Sequence, residues 1–312
     1  MTTIATDTMQ AVAATPDGPG WAEIRTVPVP EPAQGEALIA VRAFGVNRGE
    51  LGLLATRPDW VPGQDIAGVV ERAAADGSGP PAGTRVAALA DWHGWAQYAA
   101  APTHRIAPLP DAVAFTAAAA LPMAGTTALG VLRRGGSLLG RRVLVTGASG
   151  GVGTFAVQLA ELSGARVTAV ARPAQAERLR ERGAAEVIAD IADASGLFDV
   201  ILESAGGSSM SAAIEHVAPG GLIVALGNSS REPSPFDFFA FIGGHGDARI
   251  ETYASHRREA HVGEDLAVLL RLVADGRLVA DVGLEAPWSE LGTALDALRD
   301  RRVAGKAVLR VE

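Results

Sequence analysis

The sequence contains no cysteine. That excludes disulfides, thiolate catalysis and every cysteine-containing zinc site together. No apolar stretch reaches the ~18 residues that a membrane-spanning helix needs. The opening residues, Met1 to Gln10, are polar and threonine-rich, without the charged start and apolar run of a secretory signal. No lysine- and arginine-rich run stands out, which argues against nucleic acid as the main partner. The 27 basic and 35 acidic residues leave a formal charge of −8, which favours solubility and is silent about the fold. The histidines, His93, His104, His216, His245, His256 and His261, show neither H-x-H nor H-E-x-x-H spacing. These absences set the expectation of a soluble, cytoplasmic protein.

What is present suits two domains: 312 residues, of which 48% are hydrophobic. The first third reads as short strands, Gln10–Ala14, Glu36–Ala43, Ile66–Glu71 and Arg85–Leu89, separated by Pro/Gly clusters. This predicts a compact, barrel-like β-domain. The texture changes near Ala114, and a helical stretch runs from Pro122 to about Arg134. From Arg141 strand and helix alternate: strand Val143–Thr146, helix Gly151–Ser163, strand Arg166–Val170, helix Pro173–Arg182, then strands Glu186–Ile188, Phe198–Glu203 and Leu222–Leu226. Such alternation predicts a parallel sheet covered on both faces, an α/β doubly wound domain. Helices Glu264–Asp275 and Ser289–Asp300 and a strand Gly305–Val311 close the chain. The expected division is a β-rich substrate domain of residues 1–116 and 255–312 and a cofactor domain of residues 117–254, with the cleft between them as the active site.

The most informative segment is Val143-Leu-Val-Thr-Gly-Ala-Ser-Gly-Gly-Val-Gly153. A buried strand runs into a glycine-rich turn and then a helix. Gly150 lets the backbone approach a pyrophosphate, and Gly153 lets the helix pack closely on the strand. The helix N-terminus, from Ser149 through Gly151 and Val152, offers N–H groups and partial positive charge to the phosphates. Ala148 stands where the strict G-x-G-x-x-G pattern has its first glycine. The next strand selects the dinucleotide. An NAD enzyme usually carries Asp or Glu about 20 residues past the loop. Here the strand ends in Ala171 and Arg172. An arginine can bind a 2′-phosphate through charge-assisted hydrogen bonds, so NADPH is the expected cofactor. Arg178 and Arg182 are possible helpers.

Several motifs together resemble the medium-chain dehydrogenase/reductase superfamily, and most closely its quinone oxidoreductase branch. Phe44-Gly-Val-Asn-Arg-Gly-Glu50 resembles the family's G-x-N-x-x-D/E stretch, and Pro62-Gly-Gln-Asp-Ile-Ala-Gly-Val-Val70 its P-G-x-D-x-A-G-V-V turn. Leu121-Pro-Met-Ala-Gly-Thr-Thr-Ala128 resembles the segment entering the cofactor domain, and Gly305-Lys-Ala-Val-Leu309 the closing strand. The resemblance runs from about Met9 to Val311 and implies a GroES-like β-barrel beside a Rossmann domain. In the family's zinc alcohol dehydrogenases the metal ligands stand where Asn47, Gln64 and Met123 stand here, so the resemblance implies no metal site in this chain. It further implies a homodimer.

Without a Lewis acid, hydride delivery to an activated acceptor remains feasible: a hydrophobic quinone or α,β-unsaturated carbonyl spreads the incoming charge onto oxygen. A donor near that oxygen lowers the barrier. The resemblance assigns Asn47 to the nicotinamide region and Thr127 to the nicotinamide ribose. Gly227 and Asn228, ending a late strand, should face the nicotinamide mainly through backbone. Tyr253, one of two tyrosines, offers a hydroxyl to a substrate oxygen. Asp65 is read as structural. Trp92 and His93 can reach a bulky ring, and the aromatic stretch Pro233–Phe241 can wall a pocket, form a dimer contact or be core. The leading expectation is an NADPH-dependent quinone or enone reductase. The alternatives are an enoyl reductase or reductive cyclase of a polyketide-like pathway, and a non-catalytic NADPH-binding protein of the lens-crystallin kind.

Overall fold

The computed structural model describes residues 7–17, 21–235, 239, 243–254 and 261–312. Much of the aromatic stretch Pro233–Phe241 lies outside them. The chain divides into two compact units, residues 1–126 with 258–312, and residues 127–257.

In the first unit, β1 (Thr8–Ala14) and β2 (Ala22–Pro28) form an antiparallel hairpin. The Val12 N–H donates to the Trp95 carbonyl at 2.8 Å. The larger sheet is built on β3 (Glu36–Val46), β4 (Asp65–Arg72), β5 (Arg85–Leu89), β6 (Tyr98–Pro102) and β7 (Ile106–Pro108). It is completed by β14 (Val282–Pro287) and β15 (Lys306–Arg310) in the order β14-β15-β3-β4-β5-β7, with β6 also on β3. β15 lies antiparallel to β3, with Ala307 opposite Val46. That pairing brings the C-terminal strand beside Asn47. Three large rings meet inside a core made otherwise of aliphatic side chains. Phe44 stacks on Trp95 at 5.4 Å, and Trp288 meets Phe44 edge-on at 6.5 Å. The buried Trp95 indole N–H is satisfied by the Gly45 carbonyl at 3.1 Å. Helix α1 (Arg48–Leu54) follows β3 directly, and α2 (Phe115–Ala119) packs on the same sheet.

The division between the units falls within α3 (Pro122–Arg134). The second unit holds six parallel strands: β8 (Arg142–Val145), β9 (Arg166–Val170), β10 (Ala184–Ile188), β11 (Phe198–Glu203), β12 (Val217–Ala225) and β13 (Arg249–Thr252). Their order is β10-β9-β8-β11-β12-β13, the doubly wound dinucleotide-binding order, with the reversal between β8 and β11. Val143, Val167, Ile201 and Ile223 are fully buried, as the near-continuous apolar strands of a sheet covered on both faces must be. Helices α4 (Gly151–Leu162), α5 (Ala176–Glu181) and α6 (Ser208–His216) make the crossovers. Ligands of such sheets bind outside the carboxyl ends of the strands, at the reversal. No helix among the described residues is long and apolar enough to cross a membrane.

Candidate active site

The glycine-rich loop connects β8 to α4. Gly147 turns it with a φ of +59°, a left-handed conformation that favours glycine. The turn glycine of this loop therefore lies one residue before Ala148. Gly153 is fixed by space: a Cβ there would stand 2.4 Å from the Gly147 carbonyl oxygen and 2.7 Å from Ala148 Cα. Gly150 caps α4 without any side-chain bond. The first-turn N–H groups of a helix have no intrahelical acceptor, so Gly151, Val152 and Gly153 present theirs to an anion. Ser149, Gly150, Gly151 and Val152 are all partly exposed. This cradle fits a dinucleotide pyrophosphate.

Arg172 is tied to the loop through its own strand. The Ala148 N–H donates to the carbonyl of Val170, the last residue of β9, at 3.2 Å. Arg172 follows two residues later and is exposed. Arg178 makes a 3.4 Å bond to Gln175, and Arg182 lies 3.9 Å from Glu181.

The loops after β11 and β12 are stitched to the same edge. Glu203, fully buried at the end of β11, accepts from Thr146 Oγ1 (3.2 Å), the Ala205 and Gly206 N–H groups (3.0 and 2.9 Å) and Ser209 Oγ (2.8 Å). The Ser204 N–H donates to Thr146 Oγ1 at 2.8 Å. Glu203 and Thr146 were not among the residues the sequence singled out. Their signal was a carboxylate closing an apolar strand. Asn228 spends its side chain on its own loop: Oδ1 accepts from Ser230 Oγ and the Arg231 N–H, and Nδ2 donates to the Glu232 carbonyl. This leaves mainly the backbone of Gly227 and Asn228 for contacts. Tyr253 follows β13, and its N–H bonds the Ala225 carbonyl at 2.9 Å. Its hydroxyl is pressed against α3, 2.1 Å from where a Cβ on Gly130 would be. Thr127, buried, lies one turn earlier on that helix. The structure thus gathers the phosphate loop, Arg172, Gly227, Asn228 and Tyr253 at the carboxyl edge of one sheet.

Asn47 belongs to the first unit and a different network. It is the N-cap of α1. Its Oδ1 accepts from Lys306 Nζ at 2.5 Å, and its Nδ2 donates to Asp65 Oδ2 at 3.0 Å. Lys306 Nζ also donates to Asp65 Oδ2 (2.9 Å) and to the Val46 carbonyl (3.3 Å). Asp65 Oδ1 accepts the Met123 N–H at 2.7 Å. The side chains of Lys306 and Asp65 are 3% and 0% exposed, so this is a desolvated ion pair with every donor of the ammonium placed. Glu50, the third residue of α1, accepts the Asn47 N–H on Oε2 at 2.7 Å. Its Oε1 is buried with no hydrogen-bond partner among the described residues. Burial pushes the Glu50 carboxyl up to about 8, helped by the nearby Asp65 charge and opposed by the Asn47 N–H, Lys306 and the Gln64 backbone.

The Asn47, Gln64 and Met123 positions do not fit a zinc ion. Amide and thioether groups are poor zinc ligands, and the ammonium of Lys306 already lies against Asn47 and Asp65. No group of three His, Asp or Glu among the described residues is arranged to hold a metal. Trp92 packs edge-on against Trp60 at 5.0 Å, and His93 sits beside it, exposed, with a φ of +64°.

Comparison with known proteins agrees with both halves of this architecture. Residues 33–111 match the alcohol dehydrogenase GroES-like domain, and residues 151–268 match the zinc-binding dehydrogenase family model. The chain is 31% identical to the quinone oxidoreductase of Pongo abelii over 235 residues, 69% of this chain and 71% of that protein. It is 34% identical over 263 residues to the spectinabilin polyketide synthase system protein NorB of Streptomyces orinoci, covering 79% of this chain but only 12% of that much longer protein. Among solved structures, AibC superposes with a TM-score of 0.87 at 28% identity, covering 99% of this chain and 97% of that one. With a GroES-like unit, a dinucleotide-order parallel sheet and quinone oxidoreductase relatives along most of its length, the chain belongs to the medium-chain dehydrogenase/reductase family of oxidoreductases, in its quinone oxidoreductase-like branch.

Proposed function

We propose that this protein is an NADPH-dependent reductase that delivers hydride to a hydrophobic quinone or α,β-unsaturated carbonyl. The observation that carries the cofactor assignment is Arg172, two residues beyond the β9 carbonyl bonded to the phosphate loop. No carboxylate stands at that strand end, where an NAD enzyme would hold the ribose 2′-hydroxyl. Ser149, Gly150 and the first-turn N–H groups of Gly151, Val152 and Gly153 hold the pyrophosphate, and Arg172 pairs with the 2′-phosphate. Thr127 and the backbone of Gly227 and Asn228 orient the nicotinamide end. When bound, the dinucleotide supplies the hydride. The Asn47 amide donates a hydrogen bond to the acceptor oxygen as negative charge grows there, in place of a Lewis acid. Tyr253 offers its hydroxyl to the substrate oxygen from beside Gly130 of α3, and water completes the proton balance. The active form is assigned as a homodimer, and a monomer mass by light scattering at micromolar concentration would contradict this.

A second reading is favoured by the 34% identity to NorB: reduction of an enoyl thioester, or a reductive cyclisation, in a polyketide-like pathway. One experiment separates the readings. NADPH oxidation is followed without oxygen against 1,4-benzoquinone, a naphthoquinone, a simple enone and an enoyl thioester, with NADH as control. Turnover of quinones and the enone supports the first reading, and strong preference for the thioester supports the second. Tight NADPH binding with no turnover on the whole panel would overturn both in favour of a non-catalytic binder.

A further inference from the structure

Lys306 is the only lysine in 312 residues, whereas 26 arginines supply every other fixed side-chain cation. That single lysine is 3% exposed and opens the strand Lys306–Arg310, ahead of the buried apolar Ala307, Val308 and Leu309. A planar guanidinium would not serve there. The three acceptors, Val46 O, Asn47 Oδ1 and Asp65 Oδ2, converge on one nitrogen at 3.3, 2.5 and 2.9 Å. A compact ammonium with three donors matches such a convergence, and a flat fork does not.

The network leaves Asn47 no choice of orientation. An ammonium only donates and a carboxylate only accepts, so Oδ1 must face Lys306 and Nδ2 must face Asp65. One Nδ2 proton is spent on Asp65. The other has no partner among the described residues, and Asn47 is only half-buried. The positive charge against Oδ1 draws electron density toward the amide oxygen. That makes the remaining N–H a stronger donor, as happens along any chain of polarised hydrogen bonds in a low-dielectric site.

We propose that Lys306 is a positioning residue that locks the Asn47 amide as a one-way donor and polarises it, lending the reaction the positive charge that zinc-dependent relatives take from a metal. The proposal rests on the reading of Asn47 as the donor to the acceptor oxygen. It extends that reading by naming the source of the donor's strength. Asp65 balances the ammonium and holds the second half of the amide.

Two measurements test it. First, protein grown with 15N-labelled lysine has a single side-chain ammonium to observe. Its proton-detected resonance should be visible through slow exchange and should move on Asn47→Ala. A rapidly exchanging ammonium indifferent to Asn47→Ala would overturn the contact itself. Second, turnover is compared for wild type, Asn47→Ala, the charge-neutral pair Lys306→Met/Asp65→Asn, and the triple variant. The pair is used because removing one partner leaves an unpaired buried charge, which is strongly destabilising. With NADPH and 1,4-benzoquinone, the pair should keep its KM values within about twofold and lose at least tenfold in kcat. The triple variant should lose no more than Asn47→Ala alone. Wild-type kcat in the pair, or losses that multiply in the triple variant, would overturn the role of Lys306. Wild-type kcat in Asn47→Ala would instead remove the donor reading beneath it.

Discussion

Glu50 should make the first unit lose stability as pH rises, and Glu50→Gln should abolish that loss. The carboxyl is 1% exposed, and burial holds it near 8 against an ordinary value of 4.5. The folded state therefore keeps a proton that the unfolded chain gives up. Stability is fully present below pH 4.5, and it falls by about 1.4 kcal/mol per pH unit as pH rises toward 8. Between pH 5 and 7.5 the two titration curves differ by roughly 3 kcal/mol, a large fraction of the ~5–15 kcal/mol that holds a typical domain together. Gln keeps the shape and can still accept the Asn47 N–H, but it does not titrate.

The assay has a built-in reporter. Trp21, Trp60, Trp92, Trp95 and Trp288 are all the tryptophans of the sequence, and all lie in the unit that contains Glu50. Urea unfolding followed by tryptophan fluorescence therefore reads that unit. The groups around the carboxyl, Asp65 and Lys306, and the histidines elsewhere are common to both proteins, so the difference in slope isolates Glu50. Wild type should weaken from pH 5 to 7.5 by about 3 kcal/mol more than Glu50→Gln. Parallel stability curves would refute a buried, protonated Glu50.

Other outcomes follow from the second unit and from Asn47. Arg172→Ala should weaken NADPH binding by roughly 1.5–3 kcal/mol, the worth of a charge-assisted hydrogen bond, with NADH nearly unaffected in the same titration. Gly153→Ala forces a methyl to within 2.4 Å of the Gly147 carbonyl oxygen. It should cost about 1–3 kcal/mol of overpacking, read as a lower melting temperature together with weaker NADPH binding. Glu203→Gln turns an amide NH2 toward either the Ala205 N–H, held on Oε1, or the Gly206 N–H, held on Oε2, and orphaning that buried donor should destabilise the fold by roughly 1–3 kcal/mol in thermal denaturation. Asn47→Ala should leave the circular dichroism spectrum intact and lower kcat by roughly a hundredfold, the scale of a lost oxyanion donor.

The parts of the fold legible in sequence were those whose signal is local and apolar. Strands Arg85–Leu89, Arg166–Val170 and Phe198–Glu203 have the ends that their runs of hydrophobic residues predict. The helix expected over Pro173–Arg182 is a short 3-10 turn, Pro173–Gln175, followed by Ala176–Glu181. Elements with weak local signals went unread. β2 (Ala22–Pro28) is half-exposed throughout, and α6 (Ser208–His216) opens on serines that favour turns. β12 starts at Val217 rather than at the expected Leu222, because β11 supplies a partner for Val217. The phosphate loop was legible since strand, glycines and helix follow one another. The Asn47 network was not, because Asn47 meets Asp65 18 residues away and Lys306 259 residues away. Only the β3–β15 pairing makes that meeting possible.

The two buried glutamates show why residue type and burial cannot by themselves assign a role. Glu203 and Glu50 are 0% and 1% exposed. Glu203 receives four donors, two of them backbone N–H groups of the loop it closes, so its carboxylate is a stitch whose removal orphans several partners at once. Glu50 has the Asn47 N–H on one oxygen and, among the described residues, no partner on the other, so the neutral acid is its favoured form near neutral pH. That neutrality matters to its neighbours. With Glu50 uncharged, Asp65 and Lys306 balance each other, and the ammonium's field reaches Asn47 without a second carboxylate to cancel it. An ionised Glu50 would leave the trio with a net negative charge beside the Asn47 amide, against the positive charge on which its proposed donor strength depends. The environment that raises the Glu50 carboxyl and the network that aims Asn47 are therefore one electrostatic arrangement, built where β3 runs into α1 and closed by the chain's single lysine.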